Sequence, residues 1–165
     1  MSEVSAAPSS VEVAVSCAAW LDACPDAAAV AATAAGGALA TSVEAVRLVV
    51  DITLTDDAEQ RRLNRIYRGK DMPTNVLAFP QAETMPPADA PVLLGDVVLA
   101  FETVRREAGE QNKPFADHLS HLVVHGVLHL LGFDHEDAVD AAAMEAQEIK
   151  ILAGLGVPDP YRGIM

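Results

Sequence analysis

Residues 125–135 read HGVLHLLGFDH and place three histidines, His125, His129 and His135, in an otherwise largely apolar run. Residues four positions apart lie on one face of a helix, one turn apart, so His125 and His129 can offer their imidazoles to the same ion. A continuing helix would carry His135 about 9 Å further along the axis and round to another face. Gly132 removes this obstacle, because a glycine just past a helix end can adopt a left-handed conformation and reverse the chain. The pattern therefore predicts a metal site at the end of this helix, with the three histidines as ligands.

The chemistry of these side chains indicates which metal they hold. Three neutral imidazoles without a thiolate suit zinc best, and we predict one Zn²⁺ per chain. Structural zinc sites are usually closed by four protein ligands, whereas catalytic sites keep a position for a water molecule that the metal activates near neutral pH. Asp134 could close the site as a fourth ligand, but its place in the turn favours a capping or supporting role.

Two further histidines lie upstream in the same segment. His121 shares the face of the ligand pair, but it lies about 12 Å from His129 along a straight helix, which is too far for one ion to bridge. We therefore predict that His121 lines the pocket wall or supports a ligand. His118 is predicted to lie at the surface.

The rest of the chain alternates short apolar strands with helices. We expect Gly36 and Gly37 to end the first helix. The chain is predicted to form a single α+β domain over residues 1–165, with about ten disordered residues at its N-terminus. Its small mixed β-sheet has helices packed on it, and the metal site lies at the end of the histidine-bearing helix. The predicted strands are 11–15, 46–53, 75–79 and 95–100, and the predicted helices are 25–35, 56–67, 101–110, 115–131 and 139–152.

Composition excludes several classes of protein. Hydrophobic residues make up 51% of the 165 positions, which is incompatible with a disordered chain. Cys17 and Cys24 form neither a zinc-ribbon pair nor a disulfide framework, so we predict reduced thiols. The N-terminus lacks the basic start of a signal peptide, and the longest apolar stretch, Ala27–Ala40, is too short to cross a bilayer. These features predict a cytoplasmic protein without a membrane partner.

Charge is distributed unevenly along the chain. The net charge of −13 opposes a general nucleic-acid binder. Ten positions nevertheless hold five of the eleven basic residues and no acidic residue. This stretch is either the solvated face of a helix or a local anion-binding patch on an acidic body. Its basic residues are Arg61, Arg62, Arg65, Arg68 and Lys70.

The spacing His-x-x-x-His-x-x-Gly-x-x-His is also that of metzincin peptidases. Those enzymes carry a glutamate directly after the first histidine as general base, whereas this chain has Gly126. Glycine cannot accept a proton, so the usual route of peptide hydrolysis lacks its base. Cleavage of a phosphodiester gathers negative charge on oxygens instead, and a metal with an arginine can stabilise that charge.

Three segments resemble the signature segments of a known family. They are HLVVHGVLHLLGFDH at 121–135, YRGKDMPTNVLAFP at 67–80 and LLGDVVLAFETV at 93–104. All three resemble those of the YbeY family of bacterial endoribonucleases, also called ribosomal RNA maturation factors. The resemblance implies a metal-dependent endoribonuclease directed at single-stranded RNA. It also implies a role in 16S ribosomal RNA maturation, particularly at the 3′ end, and in ribosome quality control.

The same resemblance assigns roles to individual residues. It places the metal on His125, His129 and His135 and makes Arg68 the catalytic arginine, whose planar fork can grip a phosphate. It implies ribosomal single-stranded RNA as partner, together with the small ribosomal subunit or assembly factors, and not DNA. Asn75 stands where the family usually has Asp, and Ala78 where it usually has Ser.

Three alternative functions remain open from the sequence. The first is a metzincin-like zinc metallopeptidase, which Gly126 opposes. The second is a non-catalytic zinc protein of ribosome assembly, which the open fourth metal position opposes. The third is a metal-free core in which the histidines are merely packed.

Overall fold

The computed structural model describes residues 9–41, 47–81, 91–134 and 136–161. The described chain forms four strands and six helices, which confirms the predicted α+β class. The strands are β1 (Ser10–Val15), β2 (Leu48–Thr55), β3 (Val76–Pro80) and β4 (Val92–Ala100). The helices are α1 (Ala19–Ala23), α2 (Ala27–Leu39), α3 (Asp57–Arg68), α4 (Phe101–Glu110), α5 (Phe115–Leu130) and α6 (Ala138–Gly154).

The strands form one mixed sheet in the order β1-β2-β4-β3. The pairs β1–β2 and β2–β4 are parallel, and β3 runs antiparallel along the edge of β4. One face of β2 carries Val50, Ile52 and Leu54, which are buried in the same apolar cluster as the alanines of α2 and the aliphatic side chains of α5. This face of the sheet lies in the hydrophobic core, and packing against it fixes the position of the histidine helix α5.

Gly126 allows α5 to approach the sheet closely. A Cβ atom added at this position would lie 2.7 Å from Cγ1 of Val97 on β4 and 3.4 Å from Cγ2 of Val76 on β3. Val97 is fully buried, so it has little room to give way. The glycine that replaces the peptidase glutamate is therefore favoured by packing, and a longer side chain would have to displace the buried side chain of Val97.

Substituting Gly126 with alanine is expected to destabilise the fold. Overpacking of this kind costs about 1–3 kcal/mol, which outweighs the roughly 1 kcal/mol that alanine gains over glycine as a helix former. Gly36 in α2 is the matched control, since an added Cβ there meets nothing within 4 Å. Urea unfolding should show lower stability for Gly126→Ala and unchanged or higher stability for Gly36→Ala. Equal gains in both variants would contradict the packing argument.

Helix α2 corrects one prediction. It does not end at Gly36 and Gly37 but continues to Leu39. The buried residues Ala38 and Leu39 hold its last turn in the core, so tertiary packing overrides the low helix propensity of glycine. A Cβ atom at Gly37 would lie 3.2 Å from Cγ2 of Ile151, which shows that this glycine permits close packing against α6.

Other boundaries differ from the predictions by a few residues. Helix α1 was not predicted, and it places the fully buried Trp20, whose Nε1 donates to the carbonyl of Thr55 at 2.8 Å. Strand β4 begins at Val92 rather than Gly95, because it pairs with β2 from Leu48 onward. The predicted N-terminal disorder, apart from its last residues, and the start of the strand predicted at 46–53 lie outside the described residues.

The state of the two cysteines and the character of the helices were also predicted from the sequence. Cys17 and Cys24 are free thiols, as predicted. In the ranges that the structure describes, none of the helices has the length and apolar character needed to cross a bilayer.

Candidate metal centre

His125 and His129 face each other across one turn of α5. Their Nε2 atoms lie 3.1 Å apart, and their ring centroids are 4.6 Å apart. Both side chains are partly exposed to solvent rather than packed in the core. The third predicted ligand, His135, lies outside the described residues. Within the described ranges, no group of three or more His, Cys, Asp or Glu side chains is arranged to hold a metal ion.

The outer nitrogen of each ring is fixed by an acceptor. Nδ1 of His125 lies 2.5 Å from Oε2 of Glu148, and Nδ1 of His129 lies 3.1 Å from the carbonyl oxygen of Phe133. A carbonyl or carboxylate oxygen only accepts, so both Nδ1 atoms carry the proton and donate it. In the neutral rings, both Nε2 atoms then present lone pairs toward each other.

This donor set fits a metal ion. Two lone pairs at 3.1 Å repel unless a cation lies between them. Two imidazole nitrogens on one tetrahedral zinc, each about 2.0–2.1 Å from the ion, are separated by about 3.3 Å. Histidine ligands usually donate their second ring nitrogen to a carboxylate or a backbone carbonyl, which is the arrangement that Glu148 and Phe133 provide.

The turn after α5 contributes to this arrangement. Gly132 has a φ of 106°, the amide of Phe133 donates to the carbonyl of Leu128 at 3.0 Å, and the amide of Gly132 donates to that of His129 at 3.1 Å. This pair of bonds is a Schellman cap, which needs a positive φ and therefore favours glycine. The predicted reversal at Gly132 is confirmed. It also returns the carbonyl of Phe133 to the ring of His129.

Glu148 is the centre of the supporting hydrogen bonds. Its side chain is fully buried, and besides His125 it contacts Nε2 of His121 at 3.1 Å and accepts a short hydrogen bond from the hydroxyl of Tyr161. Burial would raise the pKa of Glu148, but the hydrogen bonds from His121, His125 and Tyr161 outweigh it and lower the pKa to about 2. The carboxylate is therefore ionised at neutral pH and holds the ring of His125 in one orientation.

The sequence predictions missed Glu148 and Tyr161. Glu148 occupies the buried stripe of α6 together with Met144, Ile151 and Leu152. A lone carboxylate in an apolar helical stripe is a signal of a buried partner, and it was available in the sequence. Tyr161 follows α6 in an irregular segment, where no periodic pattern marks its role. That segment is fastened by Lys113, whose Nζ donates to the carbonyl of Pro160 at 2.6 Å.

Replacing Glu148 with glutamine is expected to weaken metal binding about 10–100-fold, the usual effect of removing a partner of a metal-ligating histidine. The amide keeps the size of the side chain but loses the charge that orders the donors around it. Glu145→Gln is the matched control, because Glu145 is an exposed residue of the same helix. Metal titration monitored by calorimetry provides the measurement. Identical affinities in both variants would show that Glu148 does not orient the ligand.

The upstream histidines separate into two roles. His121 lines the cleft beside the ligand pair and supports Glu148, as expected for a pocket-wall residue. His118 corrects a prediction, because it is not at the surface but only 3% exposed. Its Nε2 lies 2.9 Å from Oε1 of Glu107, since helix α4 covers this turn of α5. The bond to Glu107 satisfies Nε2 of the buried ring, whereas Nδ1 of His118 has no hydrogen-bond partner in the described chain.

The same carboxylate explains the asparagine at position 75. Nδ2 of Asn75 donates to Oε1 of Glu107 at 2.9 Å, and Oδ1 of Asn75 accepts from the amide of Val76 at 2.7 Å. Burial would raise the pKa of Glu107, but its hydrogen bonds with His118 and Asn75 lower it overall. An amide at position 75 can donate to this carboxylate, whereas an ionised aspartate would repel it.

Arg68 lines the same cleft as the ligand pair. The cleft has a volume of about 740 Å³. It is lined by Arg68, the last residue of α3, by Lys70 just after it, and by His121, His125 and His129 of α5. Nη2 of Arg68 donates to the carbonyl of Ala78 at 3.2 Å, which holds the guanidinium against the edge strand β3. The contact uses the backbone of residue 78, so it does not depend on which side chain stands there.

The basic stretch divides into two parts. Arg61 and Arg65 lie 2.8 and 3.8 Å from Asp71, and Arg62 lies 2.7 Å from Glu59, so these three cations have acidic partners at the surface. Their ion pairs agree with the solvated-face interpretation. Arg68 and Lys70 make no ion pair with a carboxylate of the described chain and line the cleft instead. The anion-binding interpretation therefore applies to these two residues.

Residues 25–156 match the family model described as Endoribonuclease YbeY. The Endoribonuclease YbeY of Alkalilimnicola ehrlichii is 59% identical over 133 residues, covering 80% of this chain and 76% of that protein. The Endoribonuclease YbeY of Paramagnetospirillum magneticum is 52% identical over 159 residues, covering 92% of this chain and 96% of that protein. The Endoribonuclease YbeY of Azorhizobium caulinodans is 57% identical and covers 83% of this chain and 87% of that protein.

These matches span nearly the whole described fold, from α2 through α6, and include every residue of the candidate site up to α6. They confirm the resemblance that the three sequence segments indicated. The chain belongs to the Endoribonuclease YbeY family.

Proposed function

We propose that this protein is a zinc-dependent endoribonuclease that cuts single-stranded RNA in the cleft between α3 and α5. His125, His129 and His135 hold one Zn²⁺, and Arg68 is the catalytic arginine. The observation that carries the proposal is the shared cleft, which is lined both by the two histidines whose Nε2 atoms face each other and by Arg68. Such a cleft can bind a phosphodiester between a metal and an arginine.

Each group in the cleft has a distinct task. Zinc, when bound, activates a nucleophile and stabilises negative charge on oxygen. Arg68 grips the phosphate with its planar fork, while Lys70 adds positive charge to the same wall. Glu148 and the carbonyl of Phe133 orient the two ligand rings, so that little reorganisation is needed when RNA enters.

The cellular role follows from family membership and charge. We propose that the enzyme acts in the cytoplasm on 16S ribosomal RNA, at its 3′ end, and in ribosome quality control. A net charge of −13 predicts weak intrinsic affinity for RNA. Specificity would then come from the small ribosomal subunit or an assembly factor. Adding ribosomes or assembly factors should therefore change cleavage by the purified protein, and unchanged processing would count against this role.

Peptide hydrolysis is the competing reaction, and the structure opposes it. The position of the peptidase glutamate is occupied by Gly126, whose Cβ direction is filled by Val97. The buried carboxylate nearest to the ligand pair, Glu148, is engaged by His121, His125 and Tyr161.

A substrate comparison tests the function. The purified protein should cut unstructured RNA in a chelator-sensitive way, leave casein and short peptides intact, and cut DNA poorly if the 2′-hydroxyl is nucleophile or recognition group. Contaminating nuclease is controlled with the His129→Ala variant purified in parallel. Equal RNA cleavage by that variant would show that the activity belongs to a contaminant, and chelator-sensitive digestion of casein would instead support a peptidase.

A further inference from the structure

A second groove lies on the other side of Arg68 from the histidines. We call it the aromatic groove, and it has a volume of about 720 Å³. One wall of the groove is formed by two aromatic rings. One belongs to Tyr67, which precedes Arg68 on α3, and the other to Phe79 on the edge strand β3. The ring centroids are 5.4 Å apart at an interplanar angle of 61°. The side chains that define the groove are Leu63, Tyr67, Arg68, Phe79, Pro80 and Asp96.

The exposure of Tyr67 is not explained by the fold. The residue is 67% exposed, although the end of α3 lies directly against β3 through the contact of Arg68 with Ala78. Ile66 beside it is 54% exposed, but it does not line the groove. A large aromatic ring held at an angle to a second ring, yet left mostly in water, offers a flat surface for another planar group.

The aromatic groove is continuous with the candidate metal centre. Arg68, Ala78 and Pro80 line both cavities, so the guanidinium stands on the ridge between them. A phosphate held by Arg68 therefore has the histidine pair on one side and the aromatic rings on the other. In a single-stranded RNA, the nucleoside attached to that phosphate is within reach of the rings.

Asp96 gives the groove a polar end. It pairs in register with Phe79 across β3 and β4 and lies on the sheet face opposite the buried Val97. Burial and the neighbouring Asp51 raise the pKa of Asp96, so this carboxyl is partly desolvated. A carboxylate here disfavours a phosphate and favours a base edge that donates hydrogen bonds, as the amino groups of cytosine and adenine do.

We propose that the aromatic groove is a nucleobase subsite, in which the base adjoining the phosphate at Arg68 stacks on the ring of Tyr67, which Phe79 supports edge-on, and Asp96 selects an amino-bearing base. This inference rests on the proposed function, because it assumes that Arg68 holds an RNA phosphate. Proteins recognise single-stranded RNA by stacking its bases on exposed aromatic rings. The groove supplies such rings beside a cation, on a protein whose net charge is −13.

The test measures binding of the full-length, zinc-loaded protein to a fluorescein-labelled ten-mer of 2′-O-methylcytidine by anisotropy. The 2′-O-methyl group removes one possible nucleophile, and a gel after each titration verifies that the probe is intact. Removing one stacked ring should weaken binding about tenfold in Tyr67→Ala, because base–aromatic stacking is lost. Tyr67→Phe keeps the ring and should bind within about twofold of wild type on the same reasoning. Ile66→Ala is the matched control and should bind like wild type.

The outcomes separate the subsite from the proposed function. If wild type binds the probe and Arg68→Ala weakens binding while Tyr67→Ala does not, the subsite is overturned and the proposed function stands. If wild type does not bind the probe, the subsite is overturned, and the proposed function is then decided by whether the purified protein cuts unstructured RNA in a chelator-sensitive way. Equal weakening in Ile66→Ala and Tyr67→Ala would overturn stacking and indicate a general apolar patch for a protein partner.

The role of Asp96 has its own comparison. Wild type should prefer the cytidine ten-mer to the matching 2′-O-methyluridine ten-mer, because uracil lacks the amino group. Asp96→Asn should remove this preference while keeping most of the affinity, since the rings remain. Equal binding of both probes by wild type would overturn the assignment of base choice to Asp96.

Discussion

Replacing His129 with alanine is expected to abolish stoichiometric zinc binding and, with it, chelator-sensitive RNA cleavage. The variant loses one of two nitrogens that face each other at 3.1 Å, and only two of the three proposed ligands, His125 and His135, then remain to hold the ion. Loss of a direct ligand should exceed the about 10–100-fold loss of affinity that follows removal of a supporting residue. His125→Ala and His135→Ala should behave alike. Metal content by mass spectrometry and calorimetric titration measure the effect.

His118 provides the matched control for this series. It lies on the same helix but bonds to Glu107 instead of facing the ligand pair. His118→Gln keeps a hydrogen-bonding side chain at a buried position and should retain one zinc per chain. Full metal retention in His135→Ala would remove that residue from the ligand set, and loss of metal in His118→Gln would indicate that general destabilisation explains the whole series.

Replacing Arg68 with alanine is expected to lower RNA cleavage about 10²–10³-fold, the effect of removing one preorganised group that stabilises transition-state charge. Arg68 is exposed and contacts the protein through the carbonyl of Ala78, so the fold and zinc content should be unchanged. Arg68→Lys should recover only part of the rate, because an ammonium lacks the planar fork. Single-turnover cleavage of a labelled RNA is the measurement.

Arg65→Ala is the control for charge alone. Arg65 lies one turn earlier on α3, and its partner Asp71 is 3.8 Å away at the surface. Its removal changes the net charge as Arg68→Ala does but leaves the cleft intact. If the two variants lose activity equally, general attraction of RNA explains the effect, and a wild-type rate in Arg68→Ala would end its assignment as the catalytic arginine.

The fold was predictable where local pattern and tertiary packing agree. The β-branched run of β2, the capped start of α3 at Asp56 and the glycine turn at Gly132 are each set by residues within a few positions. Predictions failed where distant contacts decide. Gly37 stays helical because α6 packs against it, and His118 is buried because α4 supplies a carboxylate.

In the candidate site, too, features set by nearby residues were predictable and features set by distant contacts were not. The spacing of His125 and His129 places both rings on one face of any helix, and the sequence predicts it without reference to the rest of the chain. Their orientation depends on Glu148, which lies 23 residues after His125, and periodicity cannot reveal which buried carboxylate meets which ring. The division of the basic stretch likewise depends on Asp71. Arg61 and Arg65 lie near this carboxylate only because the folded chain brings the side chains together, so the pairing could not be predicted from the sequence.

The long separation within the Glu148 cluster links metal affinity to the docking of α6. His121 and Tyr161 meet across 40 residues, and the segment before Tyr161 is held by Lys113. If the proposed zinc binds His125, it should favour the conformation in which Glu148 is in place, and by thermodynamic reciprocity a docked α6 should raise affinity for the ion by the same factor. Amide hydrogens of α6 should therefore exchange more slowly when zinc is present. On the proposed function, the exchange rate of a helix that supplies none of the proposed ligands would then indicate whether the metal is bound.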